Sequence, residues 1–436
     1  MKHHGPGFPY MFIRLALRAN HLYVNGFRQR AKTLIERGFQ MRQVSRLQIL
    51  SLVVLAVFLA SYASGPARAA EPIKIGGLFE LTGFLNPIGK DAQQGAMIAI
   101  EQEGGKLMGR PLEFIVEDSA TDPSTTMDKA RKLVEVDKVK IIVGPIFGPC
   151  TTGLAGYGDK VQIPLISIAP LDDAVILQNK WSFSTPGTDT GMGYPMGVFA
   201  ATKLGYRRVA TLGSDFEAGH EFIGGFVQGF QENGGKIIQQ QWSPPGSTNM
   251  MPFLIAVDKQ ADALCAWWPG AEGFSGFKQY TELKMKLPIM EPEDGGTLAS
   301  PLVTKGLGEG AIGAYTAVLY SYLADKPGNK EFVAAYQKKY GVAPGPIAGC
   351  GYAAVKIALE GLKRAGLNSS SQKLRDVLMS LKMDSVRGPV DFQNRRVTSY
   401  TAPIVRIDQN YVPQIVAEYR TKIDIVGGKF VYSLEK

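Results

Sequence analysis

The chain has 436 residues, 45% hydrophobic and 20% charged, an ordinary globular mixture that excludes a disordered or collagen-like chain and leaves room for two or three domains. The formal net charge of +9 sits in residues 1–70, which hold ten Lys/Arg and one acid, Glu36, whereas residues 71–436 balance 38 basic against 38 acidic groups. A neutral body with no basic stripe excludes nucleic acid as the main partner.

Residues 41–46 (MRQVSR) form a short positive segment, followed by an apolar run over residues 47–60, small residues over 61–66, and Ala67-Arg68-Ala69. This order predicts a signal peptide over 41–69 with an A-x-A cleavage site. The strongly apolar part is only about a dozen residues, short of the ~20 that span a bilayer, so an uncleaved anchor is the alternative. No Cys stands at the cleavage point to accept a lipid. Residues 1–40 precede a second possible start at Met41 and are set aside as leader.

In the body, residues 73–79 predict a buried strand, and residues 91–103 a helix with Ala92, Ala96, Ala99 and Ile100 on one face. Residues 112–117 predict a strand, 126–136 a helix, and 141–143 and 163–168 further strands. The rhythm restarts after Asp189: helix 193–204, strand 208–212, helix 221–233, strand 236–240, strand 263–267, helix 274–283. Helices follow at 330–340, 351–365 and 371–380, then strands near 404–407, 412–419 and 429–432. The alternation predicts an α/β protein with βαβ units, parallel sheets and two lobes in series. Such sheets bind ligands at the carboxyl ends of their strands, so two facing lobes make a cleft.

Catalytic patterns are missing. There is no G-x-S-x-G elbow and no phosphate-binding G-x-x-x-x-G-K-S/T loop. Residues 306–311 (GLGEGA) fit G-x-G-x-x-A but do not follow a clear strand. The body has one histidine, His220, and its three cysteines, Cys150, Cys265 and Cys350, lie far apart. They imply neither a metal site nor a disulfide framework, and read as small buried residues. Glu291, Glu293 and Asp294 read either as an acid–base group or as a solvated, Pro-containing loop. These absences argue against an enzyme.

Gly89-Lys90-Asp91-Ala92-Gln93-Gln94-Gly95-Ala96 leads through Glu101, Gly104-Gly105 and Gly109-Arg110-Pro111 into Asp118, Asp122-Pro123 and residues 141–144. Asp215 to Gly219, Gly234-Gly235 and residues 387–392 (RGPVDF) echo the same pattern later. This run resembles the branched-chain amino-acid-type (leucine/isoleucine/valine-binding) periplasmic binding proteins, the type I solute-binding components of ABC importers. The resemblance covers roughly residues 72–436. It implies two Rossmann-like lobes joined by a three-segment hinge, a small-solute cleft, no cofactor, and a monomer in the periplasm that delivers its solute to an ABC transporter membrane permease. The lobes are expected at 70–190 with 320–395, and at 191–319 with 396–436, after a 1–69 leader.

Carried over by position, the resemblance implies ligand contacts from Ile88; from Phe147, Gly148, Pro149 and Cys150; and from Ala169, Pro170 and Leu171. From the crossing and the second lobe it implies Asp189, Phe216, Trp268, Pro269, Gly270, and Glu293 with Asp294. Two departures bear on the solute. The hydroxyl positions that hold an α-amino acid read Gly148 and Leu171, and a tyrosine region reads Trp267-Trp268-Pro269-Gly270. Backbone N–H groups at 148–151 are expected to hold a carboxylate, with Phe147, Phe216 and Trp268 around a flat or apolar body. An aromatic or acyl acid is therefore favoured over a branched-chain amino acid. The alternative is a ligand-sensing receptor of the same fold, taking an amide or a small acid.

Overall fold

Strand β1 (Ile73–Phe79) is apolar and glycine-rich because helices cover it on both faces. It lies inside a six-stranded sheet of order β2-β3-β1-β4-β5-β6, with β2 Lys106–Leu107, β3 Arg110–Asp118, β4 Ile142–Val143, β5 Leu165–Ser167 and β6 Ser182–Ser184. All pairings are parallel except β2 with β3. The connecting helices are α1 (Asn86–Gln102), α2 (Pro123–Arg131), α3 (Gly148–Val161) and α4 (Asp173–Gln178). The structure is a computed structural model and describes residues 71–435 except Leu302, Gln393 and Asn394. The expected signal peptide lies outside the described residues. Among those described, no helix is long and apolar enough to cross a membrane.

The second sheet has eight strands in the order β16-β15-β14-β11-β10-β9-β7-β8. Its parallel part is β7 (Arg208–Ser214), β8 (Lys236–Ser243), β9 (Ala263–Trp267), β10 (Ile289–Glu291) and β11 (Tyr315–Ala317). Strands β14 (Tyr400–Ile407), β15 (Pro413–Val426) and β16 (Lys429–Leu434) add antiparallel to β11. Helices α5 (Asp189–Thr202), α6 (Glu217–Glu232), α7 (Met251–Ile255) and α8 (Ala271–Glu282) belong to this lobe. Helices α9 (Asn329–Tyr340), α10 (Pro346–Ala365) and α11 (Ser371–Met379) return to the first lobe, and β12 (Lys382–Ser385) pairs with β13 (Gly388–Asp391) as a small hairpin.

The chain therefore crosses between the sheets after β6, after β11 and before β14. The first and last crossings are tied together. Ser184 bridges Val397, the Thr398 N–H donates to the Ser184 carbonyl at 3.3 Å, and the Thr398 hydroxyl donates to the Thr185 carbonyl at 2.7 Å.

Glycines set how closely the helices pack. On α5 and α6, a Cβ at Gly193, Gly197, Gly225 or Gly229 would meet a facing carbonyl oxygen at 2.1, 2.1, 2.0 or 2.4 Å. Helix α10 lies on α1 in the same way: a Cβ at Gly95 would sit 1.9 Å from the Ala348 oxygen, and one at Gly351 2.1 Å from that of Ala92. An Ala gains up to ~1 kcal/mol in helix propensity over Gly, but overlap with backbone costs more, so these positions stay glycine.

Several elements differ from the sequence expectation. Helix α3 begins at the helix start expected at residues 148–151, although its GPCTTG opening has weak helix propensity and leaves its extent to packing. Helices α1 and α10 start earlier, each with Pro in the first turn. Residues 132–136 form a π-turn after α2. Residues 306–311 form two short 3₁₀ turns, not a strand–loop–helix phosphate cradle.

Candidate functional site

In both sheets the order reverses at one strand: β3-β1-β4 in the first and β8-β7-β9 in the second. At such a switch point the two flanking loops leave on opposite faces and open a crevice. Here the two crevices face each other and form one cleft of about 520 Å³, part of it open to solvent.

Glu80, just after β1, fixes the first wall. Its side chain is fully buried, and its Oε1 accepts the N–H groups of Ile146 and Phe147, both at 2.9 Å. This ties the loop after β4 to the end of β1. Burial outweighs those two bonds and pushes the Glu80 carboxyl up to about 7. Asp118, at the end of β3, holds the loop after β1 by accepting the Leu81 N–H at 2.9 Å and the Thr82 hydroxyl at 2.7 Å.

An aromatic run then crosses the cleft from lobe to lobe. Phe84 meets Phe147 edge-on at 5.4 Å, Phe147 meets Phe216 at 5.5 Å, Phe216 tilts on Trp267 at 5.6 Å, and Trp267 stacks on Phe222 at 4.7 Å. Phe147, Phe216, Phe222 and Trp267 all line the cleft.

The polar lining is acidic. Asp189, Glu293 and Asp294 are among the lining residues, and no Lys, Arg or His is, among the described residues. Trp267 Nε1 donates to Glu293 Oε2 at 3.1 Å, while Glu293 Oε1 has no partner. Asp294 Oδ1 accepts the N–H groups of Thr297, Leu298 and Ala299 at 3.1, 2.9 and 3.3 Å. Burial, then the charge of Asp294, holds the Glu293 carboxyl well above its ordinary range; burial also lifts Asp294 to about 6 against its three donors. Asp189 is raised by burial and then by the charges of Asp172 and Glu221. Groups held this way keep their protons to higher pH than free acids, and a protonated carboxyl donates a hydrogen bond as well as accepting one.

The structure gathers Ile88, Phe147, Gly148, Ala169, Pro170, Asp189, Phe216, Pro269 and Glu293 around the cleft. Pro149, Cys150, Leu171, Trp268 and Gly270 do not line it. Cys150 is 1% exposed and burial pushes its thiol up to about 12, which leaves it unreactive. Leu171 is buried and bridges Thr188 at the first crossing. Gly270 adopts φ +59° and donates its N–H to the Gly295 carbonyl. The expected row of N–H donors at the start of α3 shrinks to one. Pro149 has none, and Cys150 and Thr151 give theirs to the Phe147 carbonyl, which leaves Gly148.

Trp268 is a correction. It is fully buried, packs edge-on against Phe277 at 5.6 Å, and belongs to the core behind β9. Its neighbour Trp267 faces the cleft, because successive residues of an extended chain point to opposite sides. The expectation that residues 291–294 form a solvated loop is also overturned: Glu291, Glu293 and Asp294 are 0%, 3% and 0% exposed. All three cysteines are free and buried, and His220 is an exposed residue paired with Asp215 at 2.9 Å. The sequence reading missed Leu85, Ile146, Ala218, Phe222, Trp267, Leu319 and Ile347 as lining residues.

Residues 72–411 match the family model described as periplasmic binding protein. The chain belongs to that family. It shares the type I two-lobe fold of the leucine-binding and branched-chain amino-acid-binding structures, and family membership implies an extracytoplasmic location. A leucine/isoleucine/valine-binding protein homologue of Brucella abortus is 23% identical, over 82% of this chain and 93% of its own length. An ABC transporter solute-binding protein of Rhodopseudomonas palustris BisB5, solved with 3,4-dihydroxybenzoic acid, is 28% identical with a TM-score of 0.70, covering 84% of this chain and 96% of its own. The branched-chain amino-acid binding protein LivJ of Streptococcus pneumoniae, solved with isoleucine, shares the fold at 22% identity and a TM-score of 0.69, covering 83% of this chain and all of its own. These neighbours are solute-binding proteins rather than enzymes, and they support a substrate-binding role for this binding protein.

Three outcomes follow for the binding protein. Glu80 has a folded pKa of about 7 against an ordinary 4.5, so its contribution to stability is complete below pH 4.5 and is lost as pH rises through 7. Glu80→Gln should remove about 3 kcal/mol of that decline, read from urea unfolding at pH 4.5 and 8; identical pH dependence in parent and variant would contradict it. Trp268→Ala should cost about 3–5 kcal/mol of stability. Trp267→Ala, measured in a folded variant, should instead weaken solute binding by about 1–3 kcal/mol. A stable Trp268→Ala protein would show that residue not to be core.

Proposed function

We propose that the chain is the extracytoplasmic substrate-binding component of an ABC importer and that its solute is a small aromatic acid bearing ring hydroxyls. The carrying observation is the cleft's composition. Phe147, Phe216 and Trp267 offer flat apolar surface, the Gly148 N–H is a free donor at the start of α3, and Glu293, Asp294 and Asp189 offer carboxyl oxygens. A benzoate ring gains offset or edge contacts with the aromatic walls. Ring hydroxyls donate to the unpartnered oxygens of Glu293 and Asp294, which lack any donor of their own. Burial raises both carboxyls, Glu293 well above its ordinary range, so the ligand's carboxylate meets less like charge than two ordinary acids would present. The relative at 28% identity was solved with 3,4-dihydroxybenzoic acid, which has this set of groups.

Contacts to both lobes make ligand binding favour the closed arrangement, and the closed form is what a membrane permease would engage. The Cys150 thiol is buried and raised, and the cleft lining holds no Ser, Thr, Cys or His among the described residues, which supports binding over turnover. The acidic lining favours a second reading, a zwitterionic amino acid whose ammonium meets Glu293 and Asp189. Calorimetry with benzoate, 4-hydroxybenzoate, 3,4-dihydroxybenzoate, phenylalanine and isoleucine separates the two. The proposal expects micromolar binding of the hydroxybenzoates and at least tenfold weaker binding of both amino acids. Tighter binding of an amino acid would replace it with the second reading.

A further inference from the structure

Behind the cleft wall, three carboxylates come together from three parts of the chain. Asp172 follows β5 in the first lobe, Asp189 opens α5 at the first crossing, and Glu221 stands on α6 in the second lobe. One oxygen from each lies within 4.8 Å of the other two. Asp172 and Asp189 are 5% and 3% exposed. Asp189 feels first the charges of Asp172 and Glu221, while Asp172 feels that of Glu217 and Glu221 those of Asp173, Asp172 and Glu217, so the charge interactions of the cluster are mainly with other acids.

A second observation points the cluster at a ligand. Asp172 Oδ1 is buried with no N–H or hydroxyl donor, Oδ2 receives the Thr152 hydroxyl at 3.3 Å, and the Asp172 and Asp189 carboxyls can otherwise only share a proton with each other. A buried carboxylate oxygen left without a donor is costly. Glu221 is little better served: the Asp173 N–H reaches its two oxygens at 3.3 and 3.2 Å, long for a charge-assisted bond.

We propose that Asp172, Asp189 and Glu221 bind a divalent cation, with calcium preferred over magnesium, and that this cation ties the two lobes together. The donor set is all oxygen, which selects hard cations over zinc or copper. Calcium takes six to eight oxygens at about 2.3–2.6 Å in flexible geometry, which carboxylates brought together from three separate elements can meet. Magnesium, at about 2.0–2.1 Å, draws opposite ligands to about 4.2 Å and demands octahedral order. Because Asp172 and Glu221 belong to different lobes, an ion between them favours the closed arrangement, and because Asp189 also lines the solute cleft, the ion lies next to the solute without being part of it.

The test uses the chain stripped of metal with a chelator, then titrated with calcium chloride or magnesium chloride while melting temperature and heat of binding are followed. The expected result is one calcium per chain, a rise in melting temperature of roughly 3–6 °C at a hundredfold excess over Kd, and a smaller rise with magnesium. Asp172→Asn and Glu221→Gln should abolish the calcium-dependent rise. Their metal-free melting temperatures should stay level or increase, since each removes a like charge from the cluster. No calcium binding up to 10 mM (about the weak end for protein calcium sites) overturns the proposal, as does an undiminished rise in both variants. Solute affinity is read separately, so a failure here leaves the aromatic-acid reading intact.

Discussion

A parallel sheet covered by helices on both faces leaves only its strand ends for a ligand. Everything functional in this chain follows from having two such sheets whose carboxyl ends face each other. The loops after β1, β4 and β5 form one wall, and those after β7, β9 and β10 form the other. Three crossings join the walls, and two of them are tied together where Ser184 and Thr185 meet Val397 and Thr398. The tight glycine contacts between α5 and α6, and between α1 and α10, make each lobe a stiff body.

Within that frame, carboxylates set the chemistry. Glu80 braces the loop that carries Phe147 and Gly148, and Asp118 braces the loop after β1. Glu293, Asp294 and Asp189 reach the cleft itself, and Asp172 and Glu221 stand behind Asp189. Buried acids without basic partners are expensive, and a protein retains them where protons, a solute's hydrogen-bond donors or a cation can neutralise them. The cleft surface supplies apolar area through the aromatic run and polar selectivity through these acids, the usual division in a small-molecule site.

Much of this was legible in the sequence. The βαβ rhythm and the run from Gly89 to Gly144 give the fold and the family, and ten of the expected site positions, Asp294 included, do converge on the cleft. The misses have physical reasons. Strand β9 is buried on both faces, so no polar alternation marks which of Trp267 and Trp268 faces the cleft. Residues 291–294 read as solvated because Pro292 separates acids, a local pattern that says nothing of the strand end they occupy. Phe222 and Ala218 reach the cleft from α6 only because Gly225 and Gly229 let α6 lie close on α5. Contacts made between lobes are set by tertiary packing and have no local signal.

The central claim is that the solute sits between the two sets of strand ends, against the aromatic run. The most direct measurement is a crystal structure of the chain grown with 3,4-dihydroxybenzoic acid. The account predicts the ring between Phe147, Phe216 and Trp267, with its hydroxyls within hydrogen-bond distance of Glu293 or Asp294. A ligand bound outside this cleft, or within it but away from those aromatics, would contradict it.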